Sequence, residues 1–196
     1  MELQLFGINH KTTKLSEREL FIINDSNQED FKNFFQSAFG ESIDSFFALS
    51  TCNRTEVYIF RSSSSAMRIA QKTLEFFGCS ESLNNDLYFF NGKEAIKHMC
   101  YVASGLDSQV LGEQEILGQF KKSIQTYIEL GSLKGEFQRL TDDIISIAKA
   151  ARTETKIGFN PLSVSGLSLK IVQEIFEDPA QQKLTILGAG QMALSV

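Results

Sequence analysis

Three cysteines in 196 residues, with no Cys-x-x-Cys pair, leave little material for a disulfide framework or a zinc site. Cys52, Cys79 and Cys100 are an odd set, which fits reduced thiols in a reducing compartment. Positive charge is also in short supply: 19 Lys and Arg stand against 24 Asp and Glu, for a net charge of −5. That balance excludes a general nucleic-acid coat, so any nucleic-acid contact must come from a local patch. No apolar run approaches the roughly 18–20 residues that span a bilayer. The opening MELQLFGINH lacks the basic start and small-residue cleavage site of a secretory leader, so a cytoplasmic chain with no membrane partner is expected.

What is present is an ordinary globular composition, 42% hydrophobic and 22% charged. Leu3–Ile8 alternates as a strand. Ser16-Glu17-Arg18-Glu19 and Ser26-Asn27-Gln28-Glu29 read as capping boxes, the second opening a helix with Phe31, Phe34, Phe35 and Ala38 on one face and Gly40 as its stop. Phe46–Leu49 and Val57–Phe60 are strand-length apolar runs. Met67, Ala70, Leu74 and Phe77 recur at helical spacing, and Leu87–Phe90 reads as a fourth strand. The order strand, helix, strand, strand, helix, strand predicts an α+β fold: a ferredoxin-like split-βαβ sheet, antiparallel with helices on one face, over residues 1–92.

From Lys93 the texture is helical. Ala95, Met99, Val102, Ala103 and Leu106 share a face, and helices are expected near 115–130 and 135–156, making a bundle over residues 93–158. After Pro161, another helix capped by Ser163 or Ser165 is expected to end at Asp178-Pro179. Leu184–Leu187 then runs into Gly188-Ala189-Gly190-Gln191-Met192-Ala193. A strand followed by Gly-x-Gly-x-x-Gly/Ala is the pattern of a dinucleotide-binding turn: the first Gly allows the tight turn, the second admits a pyrophosphate, and the third small residue lets the helix pack. A plain Gly/Ala-rich turn is the simpler alternative. Residues 159–196 are read as the first fragment of a Rossmann α/β domain, too short to bind a nucleotide well.

Between the two apolar runs lies Ser50-Thr51-Cys52-Asn53-Arg54-Thr55. A thiol in that polar turn is expected to be partly exposed, with the Arg54 guanidinium and free loop amides lowering its pKa. A small buried apolar role is the ordinary alternative for each of the three cysteines.

Several blocks, in order along the chain, resemble the signature segments of the glutamyl-tRNA reductase family. They are Gly7-Ile8-Asn9-His10-Lys11-Thr12, Leu49-Ser50-Thr51-Cys52-Asn53-Arg54-Thr55-Glu56 and Val102-Ala103-Ser104-Gly105-Leu106-Asp107-Ser108. Leu111-Gly112-Glu113, Ile116-Leu117-Gly118-Gln119 and Arg152-Thr153-Glu154-Thr155-Lys156-Ile157-Gly158 continue the series. The resemblance implies a catalytic domain over residues 1–158 and NADPH as cofactor, held at Gly188, Ala189, Gly190, Gln191, Met192 and Ala193. It implies reduction of glutamyl-tRNA(Glu) to glutamate-1-semialdehyde, the entry to tetrapyrrole synthesis, through a thioester on Cys52. As partners it implies glutamyl-tRNA(Glu), a second copy of the full-length protein and glutamate-1-semialdehyde aminomutase. Family members are longer, so the rest of the nucleotide domain and the dimerisation helices are expected beyond this chain.

By the same resemblance His98 has a proton-transfer or orienting role, against the alternative of a half-buried histidine with a backbone partner. Arg54 would clamp the substrate's side-chain carboxylate, with Thr51 and Asn53 donating to the acyl oxygen or shaping the loop; loop hydrogen bonding is the alternative for all three. Ser108, Glu113, Gln114, Glu115 and Gln119 would line the glutamyl pocket, an acidic residue among them meeting the substrate ammonium. The chain departs from the family at Gln114 and Glu115, where Pro and Gln are usual, and at Cys100 and Tyr101, where Phe and Arg are usual. Lys149, Arg152 and Lys156 form a basic helical stripe, read either as a solvated face or as a tRNA contact. Two further function classes stay open: a tRNA-binding or regulatory fragment without catalysis, and a thiol-dependent semialdehyde dehydrogenase.

Overall fold

The computed structural model describes residues 3–79, 83, 85–155, 157, 164–176, 178, 181–183, 185, 187 and 188. Its elements are β1 (Leu3–Asn9), α1 (Leu15–Arg18), α2 (Gln28–Phe39), β2 (Ile43–Ser50), β3 (Arg54–Ser62), α3 (Ala66–Phe76) and β4 (Tyr88–Asn91). Four helices follow: α4 (Gly92–Ser104), α5 (Glu115–Glu129), α6 (Gly135–Glu154) and α7 (Val164–Ile175). The strands form one sheet in the order β2-β3-β1-β4 with every neighbouring pair antiparallel.

The sheet is covered on both faces, where the sequence suggested helices on one. Phe46 meets Phe31 and Phe35 of α2 on one side. On the other, Phe47 meets Phe120 of α5, and Phe47 and Phe60 meet Phe137 of α6. The reason is legible in the strands: Phe46-Phe47-Ala48-Leu49 and Val57-Tyr58-Ile59-Phe60 are buried throughout, and a strand apolar on both sides needs two covering layers. The helices from α4 to α6 supply the second layer, so residues on both sides of Lys93 share one hydrophobic core.

The capping boxes do not form. Lys14 and Asn27 are the N-caps of α1 and α2, without side-chain caps. Ser26 Oγ instead donates to Asn24 Oδ1 at 2.6 Å, while Asn27 Oδ1 accepts from the Asn24 amide at 2.8 Å. These bonds shape the turn into α2. The stop at Gly40 is as expected, with φ of 48°. The dinucleotide turn at Ala189–Ala193, like Ser163 and Lys156, lies outside the described residues. Among the described residues no helix is long and apolar enough to cross a membrane.

Candidate functional site

Antiparallel pairing sets Asn9 opposite Arg54, and Gly7 and Leu49 opposite Glu56. The turn joining β2 to β3 is therefore beside the end of β1. Thr51 folds it: its Oγ1 accepts from the amides of Asn53 and Arg54, both at 3.2 Å. The Asn53 carbonyl accepts from the His10 amide at 2.9 Å, tying the turn to the segment after β1. Cys52 sits at the tip and is exposed, whereas Cys79 is buried and Cys100 half-buried. Burial pushes the Cys79 thiol up to about 11.

The electrostatics at Cys52 reverse the expectation. Its pKa is raised, first by partial burial and then by Glu113, with Glu115 adding to the effect and Arg18 opposing it. Arg54 does not help because its guanidinium is buried against Glu56 and Asp107. Only 2% of that side chain is exposed; Nη1 donates to Glu56 Oε1 at 2.8 Å, and Nη2 to the Asp107 carbonyl at 2.6 Å and Oδ2 at 2.9 Å. Asp107 is also paired with Lys11. An incoming carboxylate would have to displace that of Asp107 to reach Arg54.

Glu56 is the centre of this buried group. Its carboxylate accepts from Arg54, from the hydroxyls of Tyr58 and Tyr88, and faces His98 Nε2 at 2.7 Å. Burial opposes its charge, but Arg54 and then His98 hold the carboxyl well below the usual range. Gly7 makes room for it: a Cβ there would lie 2.7 Å from Glu56 Cγ and 2.6 Å from the Thr55 carbonyl oxygen. His98 projects from α4, and its ring stacks on Phe90 with centroids 4.7 Å apart. An ionised carboxylate only accepts, so Nε2 is assigned as the protonated nitrogen.

Of the expected site residues, Glu113 and Glu115 come within electrostatic reach of Cys52. Ser108 is half-buried in the loop after α4, and Gln114 and Glu115 open α5 at the surface. Gln119 lines a different space, a cavity of about 520 Å³ shared with Asn24, Ser50 and Lys122 and not lined by Cys52. Arg152 turns inward from the basic stripe and donates to the Glu113 carbonyl. Glu56, Asp107 and His10 were not singled out from the sequence. Period-two reading of Arg54, Glu56 and Tyr58 on one side of β3 was the available signal for the first.

The sequence model described as "Glutamyl-tRNAGlu reductase, N-terminal domain" matches residues 6–155. A glutamyl-tRNA reductase of Saccharophagus degradans is 38% identical over 192 residues, covering 97% of this chain and 44% of that protein. The one from Pseudoalteromonas atlantica is 36% identical over 193 residues, covering 97% and 45%. Among solved structures, glutamyl-tRNA reductase from Methanopyrus kandleri superposes with a TM-score of 0.71 at 28% identity, over 88% of this chain and 39% of that one. The chain spans less than half the length of the curated relatives it matches.

Proposed function

The chain belongs to the glutamyl-tRNA reductase family, matched over residues 6–155 by its N-terminal domain, and on that premise we propose that Cys52 accepts the glutamyl group of glutamyl-tRNA(Glu). The observation that carries this reading is the placement of Cys52: an exposed thiol on a turn pinned by Thr51 and by the His10 amide. Sγ as thiolate attacks the ester carbonyl carbon. The bond to the terminal ribose oxygen breaks, that oxygen takes a proton, and a glutamyl thioester remains on Cys52. A thioester carbonyl is more electrophilic than the ester and has a better leaving group, so one hard reduction becomes two easier steps.

The raised thiol pKa gives the acidic run a part in this. Glu113 and Glu115 disfavour the thiolate, against the opposing charge of Arg18. The α-ammonium of a glutamyl group beside them would cancel that field, so the substrate itself would favour ionisation of its nucleophile. Thr51 keeps a hydroxyl proton to donate toward the acyl oxygen, and Asn53 adjoins it. His98, held by Glu56, would orient the substrate or pass the proton to the ribose oxygen. Arg54 would take the side-chain carboxylate in exchange for that of Asp107, with Ser108, Gln114 and Gln119 at the margins of the pocket.

We read the sheet with its two split crossovers as ferredoxin-like, residues 1–158 as the catalytic domain and 159–196 as the start of a Rossmann domain. Gly188 has φ of 116°, in the region that favours glycine, which fits the first glycine of a tight phosphate-binding turn. Gly188, Ala189, Gly190, Gln191, Met192 and Ala193 would hold NADPH, which supplies the hydride that yields glutamate-1-semialdehyde for tetrapyrrole synthesis.

Mixing the chain with glutamyl-tRNA in the absence of NADPH, followed by peptide mass spectrometry, tests the first step. A glutamyl adduct on Cys52, lost in Cys52→Ser, is expected. An adduct on Cys79 or Cys100, or tight tRNA binding with no acyl transfer, overturns the reading, the latter in favour of a binding fragment.

A further inference from the structure

The loop from Gly105 to Gln114 carries Asp107, Ser108 and Glu113, and it is held from a distance in sequence. Gly105 accepts a hydrogen bond from the Gly112 amide at 2.9 Å, closing the loop at its base. Arg152, on the last turns of α6, reaches across it: Nη2 donates to the Glu113 carbonyl and would lie 2.9 Å from a Cβ at Gly105. Arg152 Nε is buried with no partner among the described residues. The carbonyl of Ile157 presses on Gly112 so closely that no side chain fits there, and Gly105 and Gly112 both have φ near 80°. All five of these contact residues lie in the segments that resemble the family's signature blocks.

We propose that Arg152 is a positioning residue, acting with the Ile157 carbonyl to clamp the 105–114 loop and so set the acidic run Glu113–Glu115 against Cys52. The clamp deepens the reading of Cys52 as the acyl acceptor and rests on it for its functional meaning. Arg152 has no contact with the thiol; it hydrogen-bonds Glu113 through the backbone carbonyl, and its charge also faces the Glu113 carboxylate. A planar fork suits this because one nitrogen can donate to a carbonyl while the rest packs against glycine. Lysine at this position would bring the charge without the fork.

The test reads the thiol itself. The rate of iodoacetamide alkylation at Cys52 is measured against pH by peptide mass spectrometry, with Cys79 as the internal control for a sound fold. Arg152→Met is expected to shift the Cys52 profile to lower pH and raise its rate at pH 7 about two- to threefold, the size expected for one carboxylate moving away across partly screened distance. Arg152→Lys is expected to give part of the shift, and it serves where Arg152→Met fails to fold. In a Glu113→Gln background, adding Arg152→Lys or Arg152→Met is expected to change the profile little.

Superimposable profiles for the wild type and Arg152→Lys or Arg152→Met overturn the clamp. So does a full Arg152 effect in the Glu113→Gln background, which marks a general loosening instead. The acyl-transfer experiment stands apart. A shifted profile without a glutamyl adduct keeps the clamp and removes the function, while an adduct with an unshifted profile does the reverse.

Discussion

Strand β3 carries an arginine near each end, and both pair with glutamate. Arg54 is 2% exposed, with Glu56 at 0%; Arg61 is 53% exposed, with Glu136 at 61%. The Arg61 guanidinium lies over the Phe60 ring at 5.1 Å and reaches Glu136 at 2.6 Å across open solvent. The Arg54 pair is enclosed by Tyr58, Tyr88, His98 and Asp107. Similar bonds thus sit in opposite dielectrics. Water competes for the Arg61 pair and offsets its gain, whereas the Arg54 pair has given up its hydration and depends on every partner that replaces it. The enclosed end is also the end that holds the Cys52 turn. A strand with an apolar alternative on both faces keeps its buried charges there.

The largest separation between the two ends should come from Glu56→Leu. Arg54, Tyr58, Tyr88 and His98 would lose their common acceptor, and a loss of about 3–5 kcal/mol in unfolding free energy is expected from urea titration. A loss under about 1 kcal/mol would erase the distinction. The next is a pH effect. The Glu56 carboxyl in the folded chain is held below its ordinary value, chiefly by Arg54 against the opposing effect of burial. Its stabilising contribution is therefore complete above the unfolded value of about 4.3 and is lost as pH falls below that toward the lower folded value. Asp107, lowered by Lys11 and Arg54, acts with the same sign. The stability advantage of the wild type over Glu56→Gln should hold from pH 7 to 5 and shrink from pH 4 to 2; an advantage that grows on acidification would contradict the assignment.

The difference between the ends also explains what could be read beforehand. The strands, helix faces and helix stops rest on local pattern: Leu3–Ile8, the Phe31/Phe35 face and Gly40 all appear where periodicity and turn chemistry put them. The Cys52 turn was visible for the same reason, as polar residues between two apolar runs. The environment of Cys52 was not. Arg54 is only two residues from Cys52, but Cys52 lies in the turn while Arg54 opens β3 with its guanidinium committed to Glu56 and Asp107. The remaining partners, His98 on Glu56 and Asp107 itself, arrive from α4 and the loop beyond. The charges that do reach the thiol, Glu113 and Glu115, lie some sixty residues on. The capping box expected at Ser26 failed on a nearer scale, since Ser26 Oγ is taken up by Asn24 and Asn27 serves as the N-cap.

The smallest expected effect sharpens the contrast through salt. Glu136→Gln removes the charge from the exposed pair while keeping a hydrogen-bonding side chain, and should cost under about 1 kcal/mol in dilute buffer. The Debye length falls from about 8 Å at 0.15 M to about 3 Å at 1 M, so mobile ions can take over the role of Glu136 beside Arg61. Wild type and Glu136→Gln should then converge in urea titrations at 1 M NaCl. The Glu56→Leu deficit, in contrast, should persist at both concentrations, because ions do not enter the space between Arg54 and Glu56. Were the Glu56→Leu deficit to shrink in parallel with that of Glu136→Gln, the enclosed end would be open to solvent, and its ionised carboxylate would need no buried partners to hold it.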